Sequence, residues 1–250
     1  MLDGSTRLHL DGREIGAMAM LGCMAEYAVV PAISVMKIDR SIPLDRAALV
    51  GCGVMTGVGA VTNTAKVRAG STVAVFGCGG VGLSAIQGAR LVGAKRIIAV
   101  DMLDSKLEYA RHFGATDTIN AKDDPVAAVR ELTGGRGADY SFEVTGKVPV
   151  MEQAYAATRR GGTVCIIGIG HYTESFPLNA CGFSADAKTV IGCMYGNTNF
   201  KIDMPDLLEL YLSKRLDLDA MITRTYSIDE VPQAFEDLKA GLNARGVIIF

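Results

Sequence analysis

Val73-Ala-Val-Phe-Gly77-Cys-Gly79-Gly-Val-Gly82-Leu is the stretch on which the fold turns. An apolar run of strand length, Val73–Phe76, enters a G-x-G-x-x-G turn, and a helical pattern, Val81–Leu91, leaves it. In a chain with 29 glycines the spacing alone carries little weight; its place between strand and helix is what matters. Outward from the turn, apolar runs recur at Arg96–Val100, Asp117–Ile119, Tyr140–Val144, Thr163–Ile167 and Thr189–Met194. Amphipathic segments at Ser105–Phe113, Val126–Leu132 and Val150–Ala157 continue the alternation begun by Val81–Leu91. Strands apolar on both faces, alternating with helices, form a parallel sheet covered on both sides. Right-handed crossovers make that sheet doubly wound, so the fold class is α/β.

The turn has a chemical reading. Gly77 makes the tight bend, Gly79 lets backbone approach a pyrophosphate, and Gly82 lets the helix pack close to the strand. The N–H groups of Gly80 and Val81, at the positive end of the helix, then face the phosphates. Asp101 follows 19 residues after Gly82, at the end of the second strand. A carboxylate there accepts hydrogen bonds from the ribose hydroxyls and repels the extra phosphate of NADP. Lys106, one helical turn further, reaches the same ribose. The domain thus reads as a Rossmann sheet for NAD. Two other readings stay open: glycines that merely serve a tight turn, and a methyltransferase, which also carries an acidic residue at the end of its second strand.

The rest of the chain sets bounds. Glu26–Asp39 holds short β-rich runs, Tyr27–Val30 and Ser34–Ile38, split by Pro31 and predicted as strands outside the central sheet. Asp45–Lys66 predicts a helix interrupted near Gly51-Cys-Gly53. After the sheet come helices at Met204–Ser213 and Asp229–Lys239, an extended run at Ile222–Tyr226 and a last strand at Val247–Phe250. A net charge of −2 without a long basic run argues against a nucleic-acid binder. The six cysteines form no C-x-x-C pair, which disfavours zinc ribbons and dithiol redox sites and fits reduced thiols in the cytoplasm. Met1–Arg7 lacks a secretory pattern, and no stretch of 18 uncharged apolar residues suggests a membrane span.

Glu26-Tyr-Ala-Val-Val, Val35-Met-Lys-Ile-Asp, Gly51-Cys-Gly-Val-Met-Thr-Gly, Val75-Phe-Gly-Cys-Gly-Gly-Val-Gly-Leu, Ile97-Ile-Ala-Val-Asp, Ser141-Phe-Glu-Val and Arg245-Gly-Val-Ile-Ile-Phe together resemble the zinc-dependent medium-chain alcohol dehydrogenases. The resemblance runs in order along nearly the whole chain. It is closest to the class that includes glutathione- or mycothiol-linked formaldehyde dehydrogenases. It implies that Cys52 is one ligand of a catalytic zinc, that Thr56 lies near the nicotinamide and that Arg245 contacts the pyrophosphate. By the same resemblance, Thr145 lines the adenine pocket, and the backbones of Ile167, Cys193 and Tyr195 hold the carboxamide. Taken alone, Cys52 in an apolar helix reads as a small buried hydrophobe.

The resemblance also implies three regions: residues 1–45 as trailing strands of a GroES-like β catalytic domain, 46–215 as the NAD domain with its leading helix, and 216–250 as a segment returning to the catalytic domain. The other zinc ligands of the family lie ahead of the matching region. His9, His112 and His171 match none of them, although His171, at the C-terminal end of the fifth strand, stands at the edge where cofactors bind.

The first expectation is therefore an NAD-dependent oxidoreductase of the alcohol dehydrogenase type, acting on a small alcohol or a thiol–aldehyde adduct, with little turnover by this chain alone. The second is a non-catalytic NAD-binding module, or one half of a split enzyme. A third, a zinc-free reductase, is disfavoured by Cys52 and Thr56. The edge strand Thr189–Met194 suggests a homo-oligomer.

Overall fold

The computed structural model describes residues 5–17 and 21–250. Met1–Gly4, part of the stretch read for a leader, lie outside them. A hairpin of β1 (Leu8–Leu10) and β2 (Arg13–Ile15) opens the chain. Helix α1 (Leu44–Thr64) leads into the sheet. Six parallel strands follow: β3 (Thr72–Phe76), β4 (Arg96–Asp101), β5 (Asp117–Asn120), β6 (Ala138–Glu143), β7 (Thr158–Ile166) and β8 (Thr189–Gly192). Their order is β5-β4-β3-β6-β7-β8. The winding reverses between β3 and β6, which is where doubly wound sheets take ligands.

Side chains alternate across a strand, so two-residue periodicity sorts the core into two layers. Val73, Val75, Ile97 and Ala99 enter one apolar cluster with α1 and with α2 (Gly80–Leu91) and α3 (Asp104–Phe113). Ala74, Phe76, Ile98 and Val100 enter the other, with α4 (Pro125–Leu132) and α5 (Val148–Ala157). Glycines let α1 lie close on α2: a Cβ at Gly57 would strike the Val81 carbonyl and the Ser84 side chain.

Three expectations change. Tyr27–Val30 and Ser34–Ile38 are not strands; the segment is irregular, with one 3₁₀ turn at Ala32–Ser34. A strand is half of a hydrogen-bonded ladder, and no described strand runs beside this one; Tyr27 and Val29 stand 89% and 94% exposed. The interruption near Gly51-Cys-Gly53 is a widened π turn at Val50–Val54 inside one continuous helix, not a break. That helix is long and apolar enough to cross a membrane, yet over half of its most apolar stretch is buried within the protein.

Beyond the sheet lie α6 (Ala180–Asp186), which sequence reading missed, and α7 (Phe200–Leu212). A C-terminal unit with its own small sheet ends the chain: β9 (Ile222–Tyr226) pairs in parallel with β10 (Arg245–Ile248) across α8 (Val231–Lys239), and Ala244 and Val247 pack into the first cluster.

Candidate dinucleotide site

A cleft of about 470 Å³ opens at the carboxyl ends of β3, β4 and β6, and the C-terminal unit forms its far wall. Gly77 turns the chain at φ +101°, a conformation that L side chains rarely adopt, and its N–H donates to the Val100 carbonyl at 2.8 Å. Gly79 precedes α2 in extended backbone, and a Cβ added there would meet only open space. Gly82 is different: its Cβ would collide with the Gly77 carbonyl oxygen, so the turn and the helix close on each other only through glycine. Gly80 and Val81, in the first turn of α2, line the cleft.

Asp101 ends β4 on the cleft wall. Its carboxylate accepts the N–H of Cys78 at 2.7 Å and that of Leu103 at 3.0 Å, tying the second strand to the glycine turn. Lys106 also lines the cleft, but it is buried and its ammonium donates to the Asn243 carbonyl. Burial pushes this amine below its ordinary range, with Asp101 opposing. Lys106 thus joins α3 to the C-terminal unit.

Thr145 sits across the cleft, held from below by Glu143. That carboxylate, fully buried at the end of β6, accepts from the Thr145 N–H and hydroxyl and from the Gly146 N–H at 3.0 Å. In the sequence Glu143 stands only as one residue of a motif, because its partners, two and three residues on, are mostly backbone N–H groups.

Arg245, at the start of β10, passes its side chain between Gly53 and Gly80; a Cβ at either glycine would strike the guanidinium group. Its Nε is buried and has no hydrogen-bond partner among the described residues. An unpaired buried donor beside a helix N-terminus suits an anionic group in the cleft. Burial lowers the guanidinium's affinity for its proton, and Cys52 nearby raises it.

The remaining wall is apolar. Val231, Ala234, Phe235 and Leu238 of α8 recur at i, i+3, i+4 and i+7 and line the cleft. Phe235 and Leu238 are 45% and 64% exposed, so this face looks onto the cleft and not into a core. The pattern was visible in the sequence, but periodicity does not tell a core face from a ligand wall.

Other expected residues lie outside this lining. Thr56 is buried one turn beyond Cys52 on α1. Cys52 is exposed, and the Tyr195 hydroxyl donates to the neighbouring Gly51 carbonyl at 2.8 Å. Burial raises the Tyr195 phenol, and Cys52 adds to the shift. Ile167 and Cys193 continue β7 and β8: the Ile167 N–H donates to the Glu143 carbonyl and that of Cys193 to Ile166. The Cys193 thiol accepts from the Thr64 hydroxyl and is held below its ordinary value by the Cys165 thiol beside it.

No three His, Cys, Asp or Glu side chains gather into a metal site among the described residues. His112 bonds Asp217, His171 bonds Thr173, and His9 lies in β1 opposite Glu14. Zinc in a catalytic site needs three protein ligands, and the residues around Cys52 do not supply them.

The sequence profile described as zinc-binding dehydrogenase matches residues 80–213. The whole chain is 41% identical, over 253 residues, to an NDMA-dependent alcohol dehydrogenase of Amycolatopsis methanolica, covering 68% of its length. It is 38% identical, over 264 residues, to the S-(hydroxymethyl)glutathione dehydrogenase of Paracoccus denitrificans, covering 69%. Among solved structures, benzyl alcohol dehydrogenase from Acinetobacter calcoaceticus superposes with TM-score 0.82 at 33% identity. That match takes in 85% of this chain and 58% of the other, so the chain spans under two thirds of the solved structure it resembles.

Proposed function

Because the chain belongs to the zinc-binding dehydrogenase family, we propose that it binds NAD in the cleft between the Gly77–Gly82 turn and the C-terminal unit, in the service of alcohol oxidation. The carrying observation is convergence: the glycine turn, the Asp101 carboxylate and the unpaired Arg245 Nε, far apart in sequence, meet around one cavity.

Each residue then has a task. Gly79 leaves room for the pyrophosphate, the N–H groups of Gly80 and Val81 donate to it, and Arg245 neutralises it. Asp101 accepts from the adenosine ribose and excludes a 2′-phosphate by charge. Thr145 bounds the adenine side, and Phe235 and Leu238 give an apolar surface to the same end. Ile167, Cys193 and Tyr195 orient the carboxamide from the carboxyl ends of β7 and β8, with Thr56 near the nicotinamide. Bound NAD supplies the ring carbon that accepts a hydride from an alcohol or a thiol–aldehyde adduct.

Cys52 is at most one ligand of a zinc. The six cysteines are all free thiols, in keeping with a reducing compartment such as the cytoplasm. Pairing of two β8 edges into a continuous sheet would make a homodimer; sedimentation at twice the chain mass is expected, and a monomer at high concentration would dismiss it.

The test is calorimetric titration with NAD and NADP, on the chain and on Asp101→Asn. NAD should bind and NADP should bind at least about tenfold more weakly, a ratio that the charge repulsion of about 1.4 kcal/mol supplies. Asp101→Asn should erase most of it. Equal affinities in the parent chain would remove Asp101 from this role.

A second reading, a non-catalytic module that works with a separate chain, is favoured by the exposed apolar side chains of Tyr27, Val29, Ile33 and Val35. Scattered apolar residues are ordinary on surfaces, but a run of them marks an interface. Robust alcohol oxidation by the chain alone would decide against this reading.

A further inference from the structure

At the amino ends of β6, β7 and β8, the opposite end of the sheet from the NAD cleft, lies a second hollow of about 450 Å³. Arg130, Arg136, Arg159, Arg160 and Lys188 line it, with one carboxylate, Asp186. In a chain of net charge −2 this is a local concentration of positive charge. No basic run announces it, because the five cations come from the end of α4, the turn before β6, the start of β7 and the residue before β8.

About half of their contacts fix these cations without neutralising them. Arg130 donates to the Ala156 carbonyl at 3.0 Å, Lys188 to that of Tyr155 at 2.9 Å, and Arg160 to that of Ala185 at 2.6 Å. Carbonyls carry no net charge. The carboxylates in reach are two: Asp139 pairs with Arg159 at 2.6 Å, and Asp186 is shared by Lys188 at 3.3 Å and Arg160 at 3.7 Å. Three positive charges are left over. Arg136 is exposed and makes no hydrogen bond or ion pair among the described residues.

The bland account is that cations satisfy the negative C-terminal end of a helix. It explains Arg130 and Lys188, whose partners are the last carbonyls of α5. It extends to Arg160, whose partner Ala185 lies in the last turn of α6, but not to Arg136, nor to an excess of three positive charges in one hollow. Lys188 adds a second point: its side chain is only 4% exposed and lies 4.3 Å from the Tyr155 ring centre. The Tyr155 carbonyl and Asp186 hold this ammonium in place as a fixed charge in the floor of the hollow.

We propose that this hollow binds a small oligophosphate anion, held by the unpaired fork of Arg136 and by Arg160, over the fixed charges of Arg130, Arg159 and Lys188. Guanidinium groups match phosphate oxygens in pairs, and the volume lies in the range of small-ligand sites. The concavity favours a compact anion over a nucleic-acid strand. The site is separate from the NAD cleft and stands whether or not that cleft binds NAD.

The test is titration of the full chain with tripolyphosphate and with ATP, each with and without saturating NAD, on the parent, Arg136→Ala and Arg160→Ala. Arg136 holds no internal contact, so its replacement leaves the fold intact. Saturable 1:1 binding of tripolyphosphate is expected, unaffected by NAD and weakened about tenfold or more in each variant. ATP binding at the same strength would identify the phosphate chain as sufficient, and tighter ATP binding would add the nucleoside to the ligand. Three results would overturn the proposal: no saturation at millimolar concentration, binding abolished by NAD, or binding that both variants leave unchanged. Preference for an oligonucleotide over tripolyphosphate would overturn it equally.

Discussion

Glu143 ends β6 with its carboxylate buried and turned back onto its own chain, where it takes the N–H of Thr145, the Thr145 hydroxyl and the N–H of Gly146. Both carboxyl oxygens accept here, and an amide in its place turns a donor toward the Gly146 N–H. Glu143→Gln should therefore release the Thr145 turn. We expect NAD affinity to fall severalfold and stability to fall by about 1–3 kcal/mol; unchanged binding and an unchanged denaturation midpoint would show that the contact is idle. The spacing of Gly77, Gly79, Gly82 and Asp101 was legible in the sequence because strand, turn and helix are consecutive. Glu143 was not legible, since an acidic residue in a strand does not announce that backbone N–H groups will receive it. Arg245 was placed by resemblance alone; its unpaired Nε is a fact of the folded chain.

At the scale of elements, the strands were the most legible part. Parallel strands buried on both faces show as plain apolar runs, and β3 to β8 begin within about five residues of where those runs do. The misread elements have in common that pairing, not composition, decides them. Tyr27–Val30 has β-favouring residues and no neighbouring ladder among the described residues, whereas the short segments at Leu8–Leu10 and Arg13–Ile15 find each other across a turn. The C-terminal unit carries its own polar lock. Asp237, buried on α8, accepts from the Tyr226 hydroxyl at 2.6 Å, the Gln233 amide at 2.7 Å and Arg224 at 2.7 Å. The Tyr226 hydroxyl and Gln233 hold its carboxyl below the usual range, and burial opposes them. A depressed carboxyl stabilises fully above its unfolded value, about 3.9, and loses that contribution as pH falls through the folded value. Asp237→Asn should thus melt lower than the parent at pH 7 and show a smaller drop between neutral and acid pH. Coincident melts at pH 7 would refute the lock.

At the scale of the whole molecule, two clefts occupy the two ends of one sheet. The carboxyl-end cleft combines the glycine turn with the wall given by α8 and β10, so residues some 160 positions apart in sequence share it. This joining explains why composition and periodicity led to the fold but not to the complete site: the apolar face of α8 was visible as a pattern, and its place opposite Gly79 follows only from tertiary packing. The relatives that the chain resembles are dehydrogenases about half again as long. The most direct test is a crystal structure of the chain grown with NAD. The pyrophosphate is expected on the N–H groups of Gly80 and Val81 with Arg245 against it, and the adenosine ribose on Asp101. A dinucleotide seated elsewhere, or a cleft that stays empty at saturating NAD, would contradict it.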